Sequence, residues 1–174
     1  VEHEWGHHLD NVYGGISQTE GLSEGWGDIL ALYSTGQPVL GKNFGTSYPY
    51  IRIGTNTTTR GSCTEVHCAG ESWMGWAWDI RVGLITKLGA VAGAARAEQI
   101  VVPTITANAV NQTNAVLQVF LRVDNDANLN NGTPNCEVLG AACTKRNIPN
   151  PSTGCVGATS AQFTPFGVAC VFPD

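Results

Sequence analysis

Apolar residues gather in stretches of helical length along the chain. The run Ile29-Leu30-Ala31-Leu32-Tyr33, fed by Glu20 to Asp28, predicts one helix, with Ser23 or Thr19 as its cap. Gly14 and Gly15 supply the turn that folds it back on a first helix at the start of the chain. Met74 to Leu88 is apolar and aromatic-rich and predicts a long buried helix, with Trp73, Trp76 and Trp78 facing the core. The Ala-rich stretch Gly89 to Val102 reads as a helix stopped by Pro103, and Thr113 to Val123 has the apolar spacing of another. Thr133 then caps a helix with Pro134 at its first position, running to about Arg146.

The picture is mainly α. A helical domain is expected over 1–148, long enough to bury about two-thirds of its unfolded surface. After Ile148 come Pro149-Asn150-Pro151-Ser152-Thr153-Gly154 and a short β-prone, cysteine-containing tail, so 149–174 is expected to be a linker and disulfide-rich extension. There is no internal repeat and no apolar stretch of membrane-spanning length.

Composition narrows the function. Charged residues are 13% of the chain and the net charge is −5, which argues against a nucleic-acid binder. Six cysteines, Cys63, Cys68, Cys136, Cys143, Cys155 and Cys170, form no CxxC pair, so disulfides in an oxidising compartment are expected over a Cys-rich metal site. Sequential pairing, Cys63 with Cys68, Cys136 with Cys143 and Cys155 with Cys170, is one of several arrangements. A Cys63–Cys68 bridge would pin the loop that presents His67. Sequons stand at Asn56, Asn111 and Asn131.

The chemistry is concentrated at the start. His3, Glu4 and His7 form HExxH. On a helix, residues four apart lie about 40° apart around the axis, so His3 and His7 can converge on one ion. Neutral imidazole suits zinc. Glu4 lies about 100° from His3 and about 60° from His7, close enough to a metal-bound water to act as general base. Two His need a third protein ligand. A metzincin would place a His where this chain has Tyr13 and a Gly where it has Asp10, so that group is excluded. Glu24 and Asp28 again share a helix face. Glu24 can bind the metal while Asp28 accepts a hydrogen bond from the free nitrogen of a ligating His and fixes its tautomer.

HExxH, a turn and then ExxxD resembles the gluzincins, and within them the fungalysin-like and thermolysin-like endopeptidases. Glu24-Gly-Trp-Gly-Asp28 looks especially like the fungalysin version, and Glu65-Val66-His67 before Gly70 and a long helix is a third matching block. The resemblance covers roughly residues 1–90 with specific motifs and the remainder to 148 weakly. It implies the helical C-terminal lobe of a zincin-type metallopeptidase: Zn2+ on His3, His7 and Glu24, Glu4 as catalytic base, and His67 donating to the oxyanion of the tetrahedral intermediate. It also implies a protein or peptide substrate, secretion, and a preceding β-rich lobe or propeptide that these residues lack. Because the chain starts with Val1 inside a catalytic motif, it is expected to be part of a longer precursor. By the same resemblance Arg52 contacts substrate carbonyls; a structural salt bridge is the competing reading.

Two further readings stay open. The chain alone is either a zinc endopeptidase or a zinc-binding lobe that is inactive without its missing half. Asp124, Asp126 and Asn128 alternate hard oxygen ligands and fit either a Ca2+ loop or a plain Asx-rich turn. The EF-hand's Gly at the sixth position and Glu at the twelfth are missing, which favours the turn.

Overall fold

The computed structural model describes residues 1–15, 18–44 and 48–156. Among these the chain is mainly helical. Six α-helices run in order: α1 (Glu2–Tyr13), α2 (Leu22–Thr35), α3 (Val66–Leu88), α4 (Ala90–Val101), α5 (Gln112–Val123) and α6 (Cys136–Arg146). A two-stranded antiparallel hairpin, β1 (Val39–Leu40) with β2 (Arg52–Ile53), lies between α2 and α3, in the register Val39 to Ile53 and Leu40 to Arg52. No helix of the described residues is long and apolar enough to cross a membrane.

Helix α3 is the spine. It packs on α2, α4 and α6, and it supplies the largest buried side chains. Trp73 and Trp76, three residues apart, share the core face with Met74, Ile80 and Leu84, all fully buried. Trp73 stacks on Trp76 with centroids 4.9 Å apart, and Trp26 of α2 meets Trp73 edge-on at 5.2 Å. Each such pair contributes about 0.5–1.5 kcal/mol beyond the area it buries. As expected, Trp73, Trp76 and Trp78 all face the core.

Small residues set the distances between helices. A methyl on Gly6 of α1 would overlap the Gly27 backbone of α2, and one on Gly70 of α3 would lie 2.7 Å from Gly21 O and 2.8 Å from Gly25 N. Backbones approach closely only where no Cβ intervenes. Glycines at these crossings therefore draw α1, α2 and α3 together at one end of the lobe.

Behind this, Arg146 is fully buried at the end of α6. Its Nε donates to Asp79 Oδ2 at 2.8 Å, and Nη1 donates to Asn56 O at 2.8 Å, Asn56 Oδ1 at 2.7 Å and Thr58 O at 3.2 Å. A buried cation is tolerable only when its donors are matched in this way. The segment after β2 is thereby fastened to α3 and α6. Asn56 is spent in the same knot, since its Nδ2 donates to Ile53 O and Glu71 O.

Several local expectations are corrected. Helix α2 has no side-chain cap: Gly21, left-handed at φ 64°, precedes it, while Thr19 opens a short 3-10 turn and Ser23 lies inside the first helical turn. Pro103 does not stop α4 outright but sits early in a 3-10 segment, Val102–Ala107, that continues it. Helix α6 starts at Cys136, behind left-handed Asn135, and Thr133 is instead buried in a bridge with Cys155. The bridges are Cys63–Cys68 and Cys136–Cys155, so Cys136 does not pair with Cys143. Both of those residues lie on α6, where seven residues rise about 10.5 Å, beyond the roughly 4.4–6.8 Å between Cα atoms that a disulfide spans. Cys143 is a buried thiol that accepts a hydrogen bond from Trp76 Nε1 at 3.3 Å; burial pushes its pKa up to about 11. Cys170 lies outside the described residues. Residues 149–156 pack on the lobe, with Thr153 N donating to Leu129 O and Thr133 N to Gly154 O.

Candidate metal centre

Two histidines one helical turn apart meet on one helix face. His3 and His7 project from α1 toward the first turns of α2, and the Gly6–Gly27 crossing brings the two helices close enough for side chains to bridge them. His3 Nδ1 lies 2.8 Å from Asp28 Oδ1, and His7 Nδ1 lies 2.9 Å from Ser23 Oγ. With each Nδ1 committed to an oxygen partner, each Nε2 turns inward: the two Nε2 atoms are 3.1 Å apart.

Glu24 completes the cluster. Its Oε2 stands 3.3 Å from His3 Nε2 and its Oε1 3.5 Å from His7 Nε2. Oε2 is buried and takes no hydrogen bond, although ion-pair distances to several groups are short. The separations are close in length to a tetrahedron's edge: four ligands at about 2.0–2.1 Å from a zinc ion stand about 3.3 Å apart. His3, His7 and Glu24 thus offer three convergent donor atoms within 4.8 Å of one another. If Nδ1 carries the proton in both rings, two bare Nε2 lone pairs and a carboxylate oxygen face each other, an arrangement that calls for a cation among them. The donor set fits zinc.

Asp28 is fully buried and gripped from the other side by Arg52. Arg52 Nε donates to Oδ2 and Nη2 to Oδ1, both at 2.7 Å, a bidentate fork. Burial works against the guanidinium's charge, yet Asp28, with Glu24 and Glu71 behind it, holds its pKa above the ordinary arginine value. Arg52 is therefore a structural ion pair aimed at the cluster, with Nη2 4.0 Å from Glu24 Oε2.

His67 opens α3 and reaches the same carboxylate, with Nε2 3.4 Å from Glu24 Oε2. Its Nδ1 is 2.6 Å from Glu65 Oε1. Glu65 is also the helix's N-cap, accepting from His67 N at 3.2 Å and Cys68 N at 3.0 Å. Hydrogen bonds from the His67 ring, then from the two backbone amides, hold the Glu65 carboxyl down at about 2.

Glu4 stands apart from the cluster's polar contacts. It has no hydrogen bond or ion pair among the described residues, and it lines an open hollow with Val1, Trp5 and His8. Elsewhere around α1 three apolar side chains are uncovered: Trp5 and Val12 are each 58% exposed and Tyr13 47%. His8 lies outside the cluster and packs edge-on against Trp5.

Sequence reading missed Ser23 and Glu65 as partners of the site histidines. A signal existed for both: a ligating or donating imidazole needs an acceptor on its second nitrogen, and Ser23 and Glu65 sit one and two residues from Glu24 and His67. The Asp124 loop is an Asx-turn array. Asp124 Oδ2 and Asp126 Oδ1 both accept from Asn128 N at 2.9 Å, and Asp126 Oδ2 accepts from Asn131 Nδ2 at 2.7 Å. Both Asp126 oxygens and Asp124 Oδ2 are thus engaged with the loop's own donors, while Asp124 Oδ1 is buried and takes no hydrogen bond.

No family model, curated protein or solved structure matches this chain.

Proposed function

We propose that this chain is the zinc-holding helical lobe of a secreted metalloendopeptidase of the gluzincin type. The observation that carries the reading is the inward pairing of His3 Nε2 and His7 Nε2 beside the Glu24 carboxylate, with both outer nitrogens already occupied. Zinc bound by His3, His7 and Glu24 would supply a Lewis acid that acidifies water and polarises a peptide carbonyl. Asp28 holds the His3 ring, Ser23 the His7 ring, and Arg52 holds Asp28. Glu4, exposed and unpartnered, accepts the proton of the attacking water on a carboxylate oxygen and returns it to the leaving amine nitrogen. His67 Nε2 donates to the oxygen on which negative charge develops.

A second reading rests on the uncovered face of α1. Trp5, Val12 and Tyr13 form an apolar stripe on the helix that also carries the ligands, which favours a lobe that works only against a further lobe. The two share one test. Metal analysis after dialysis, followed by hydrolysis of a quenched-fluorescent peptide by the wild type and by Glu4→Gln, separates them. Zinc near one per chain with turnover lost in Glu4→Gln supports the endopeptidase; zinc without turnover supports the incomplete lobe. A chain that retains no zinc sinks both.

A further inference from the structure

The start of α3 is the least supported part of the centre. Full burial along this helix begins at Ala69; Val66 and Cys68 are half-buried, and the His67 side chain is 54% exposed. These residues also occupy the first turn, whose amides have no partner within the helix. Such turns fray. Two local devices oppose that here. One is the Glu65 carboxylate, on which the His67 ring and the amides of His67 and Cys68 converge. The other is the Cys63–Cys68 disulfide, which closes a ring around Thr64, Glu65, Val66 and His67, with both cysteines half-buried. The cap and the histidine it holds therefore both lie inside one short covalent loop. The second bridge, Cys136–Cys155, is elsewhere and joins α6 to the 149–156 segment.

We propose that the Cys63–Cys68 bridge is a positioning clamp for His67, and that its reduction by a dithiol lowers turnover at the centre while leaving metal binding intact. The inference rests on the reading of His67 given above. In the reducing step one thiolate of the dithiol bonds to Cys63 or Cys68 Sγ and the S–S electron pair passes to the departing sulfur. The second thiol then displaces the mixed disulfide. Two cysteine thiols and one oxidised dithiol result, with two electrons and two protons transferred. Opening the ring frees the backbone on both sides of Glu65, and His67 loses its fixed direction toward Glu24. The metal ligands on α1 and α2 lie outside the ring and are held by their own partners.

The test compares the wild type with C63S/C68S, with H67A, and with the triple variant. In metal-free protein, exchange of the His67 and Cys68 amides is expected to accelerate at least about tenfold in C63S/C68S, as fraying of a turn implies. Zinc content is expected to stay at the wild-type level. On a peptide substrate kcat should fall about 10- to 100-fold, the scale of a catalytic group displaced by an ångström, with KM little changed and no further loss in the triple variant. Unchanged amide exchange overturns the proposal, as do losses that multiply with H67A or a double variant that cannot fold, since a clamp of this kind acts locally. A wild type that binds zinc without hydrolysing peptide removes the reading of this chain as active by itself while leaving the exchange measurement to decide the clamp.

Discussion

Gly27 lies against the imidazole of His3 so closely that a methyl group there would stand 2.6 Å from Nδ1 and 2.7 Å from Cε1. The ring cannot yield without leaving Asp28. Alanine favours a helix interior by about 1 kcal/mol over glycine, so Gly27→Ala sets local propensity against ligand geometry. The expected outcome is a chain that keeps its helical circular dichroism but binds zinc at least about tenfold more weakly in a chelator competition titration. Wild-type affinity in that variant would mean that His3 is not held where it must be.

The Arg52–Asp28 pair predicts an asymmetry. Removing the guanidinium leaves a buried carboxylate uncompensated, which costs about 3–5 kcal/mol, whereas Asp28→Asn removes the charge itself. Arg52→Met should therefore destabilise the metal-free protein more than Asp28→Asn in urea unfolding. Both should weaken zinc by about 10- to 100-fold, the usual consequence of losing the group behind a ligating imidazole. Equal stability of the two variants would show that the fork contributes little.

Glu65 makes the acid limb of stability readable. Its carboxyl is depressed to about 2 in the folded chain, against an ordinary value near 4.5. A depressed carboxyl contributes stability that is fully present above the unfolded value and is lost as pH falls toward the folded one. Between about pH 4.5 and 2 the unfolded chain binds more protons at this group than the folded chain does. Glu65→Gln should thus flatten the pH dependence of unfolding in that window by up to about one proton. An unaltered slope would show that the ring and amide contacts of Glu65 do not persist in solution.

The parts of the site written in helical periodicity were legible from sequence. His3 and His7, and Glu24 and Asp28, are each four apart, and a helix must place such pairs on one face. Arg52 was not legible in the same sense. It sits on a two-residue strand whose approach to Asp28 depends on packing set by distant segments, so the sequence alone fits both a substrate contact and an ion pair. The expected Cys136–Cys143 bridge conflicted with the helix expected over the same residues, and the helix prevailed because its rise separates the two sulfurs. Ser23 looked like a cap by residue type, since serine oxygens favour helix starts. The left-handed Gly21 supplied the entry instead and left that hydroxyl to His7.

Arg146 gives the lobe a boundary that its motifs do not announce. Every residue assigned to the centre lies before residue 68, yet the strand that delivers Arg52 runs into a segment whose carbonyls, at Gly54, Asn56 and Thr58, are held by a guanidinium some ninety positions later. The smallest piece of chain that carries the chemistry and the smallest piece that keeps it in shape are therefore different lengths. A gene fragment trimmed to the motif-bearing stretch would encode all the ligands and lose the fastener, so the inheritance of this centre is tied to the whole run through α6.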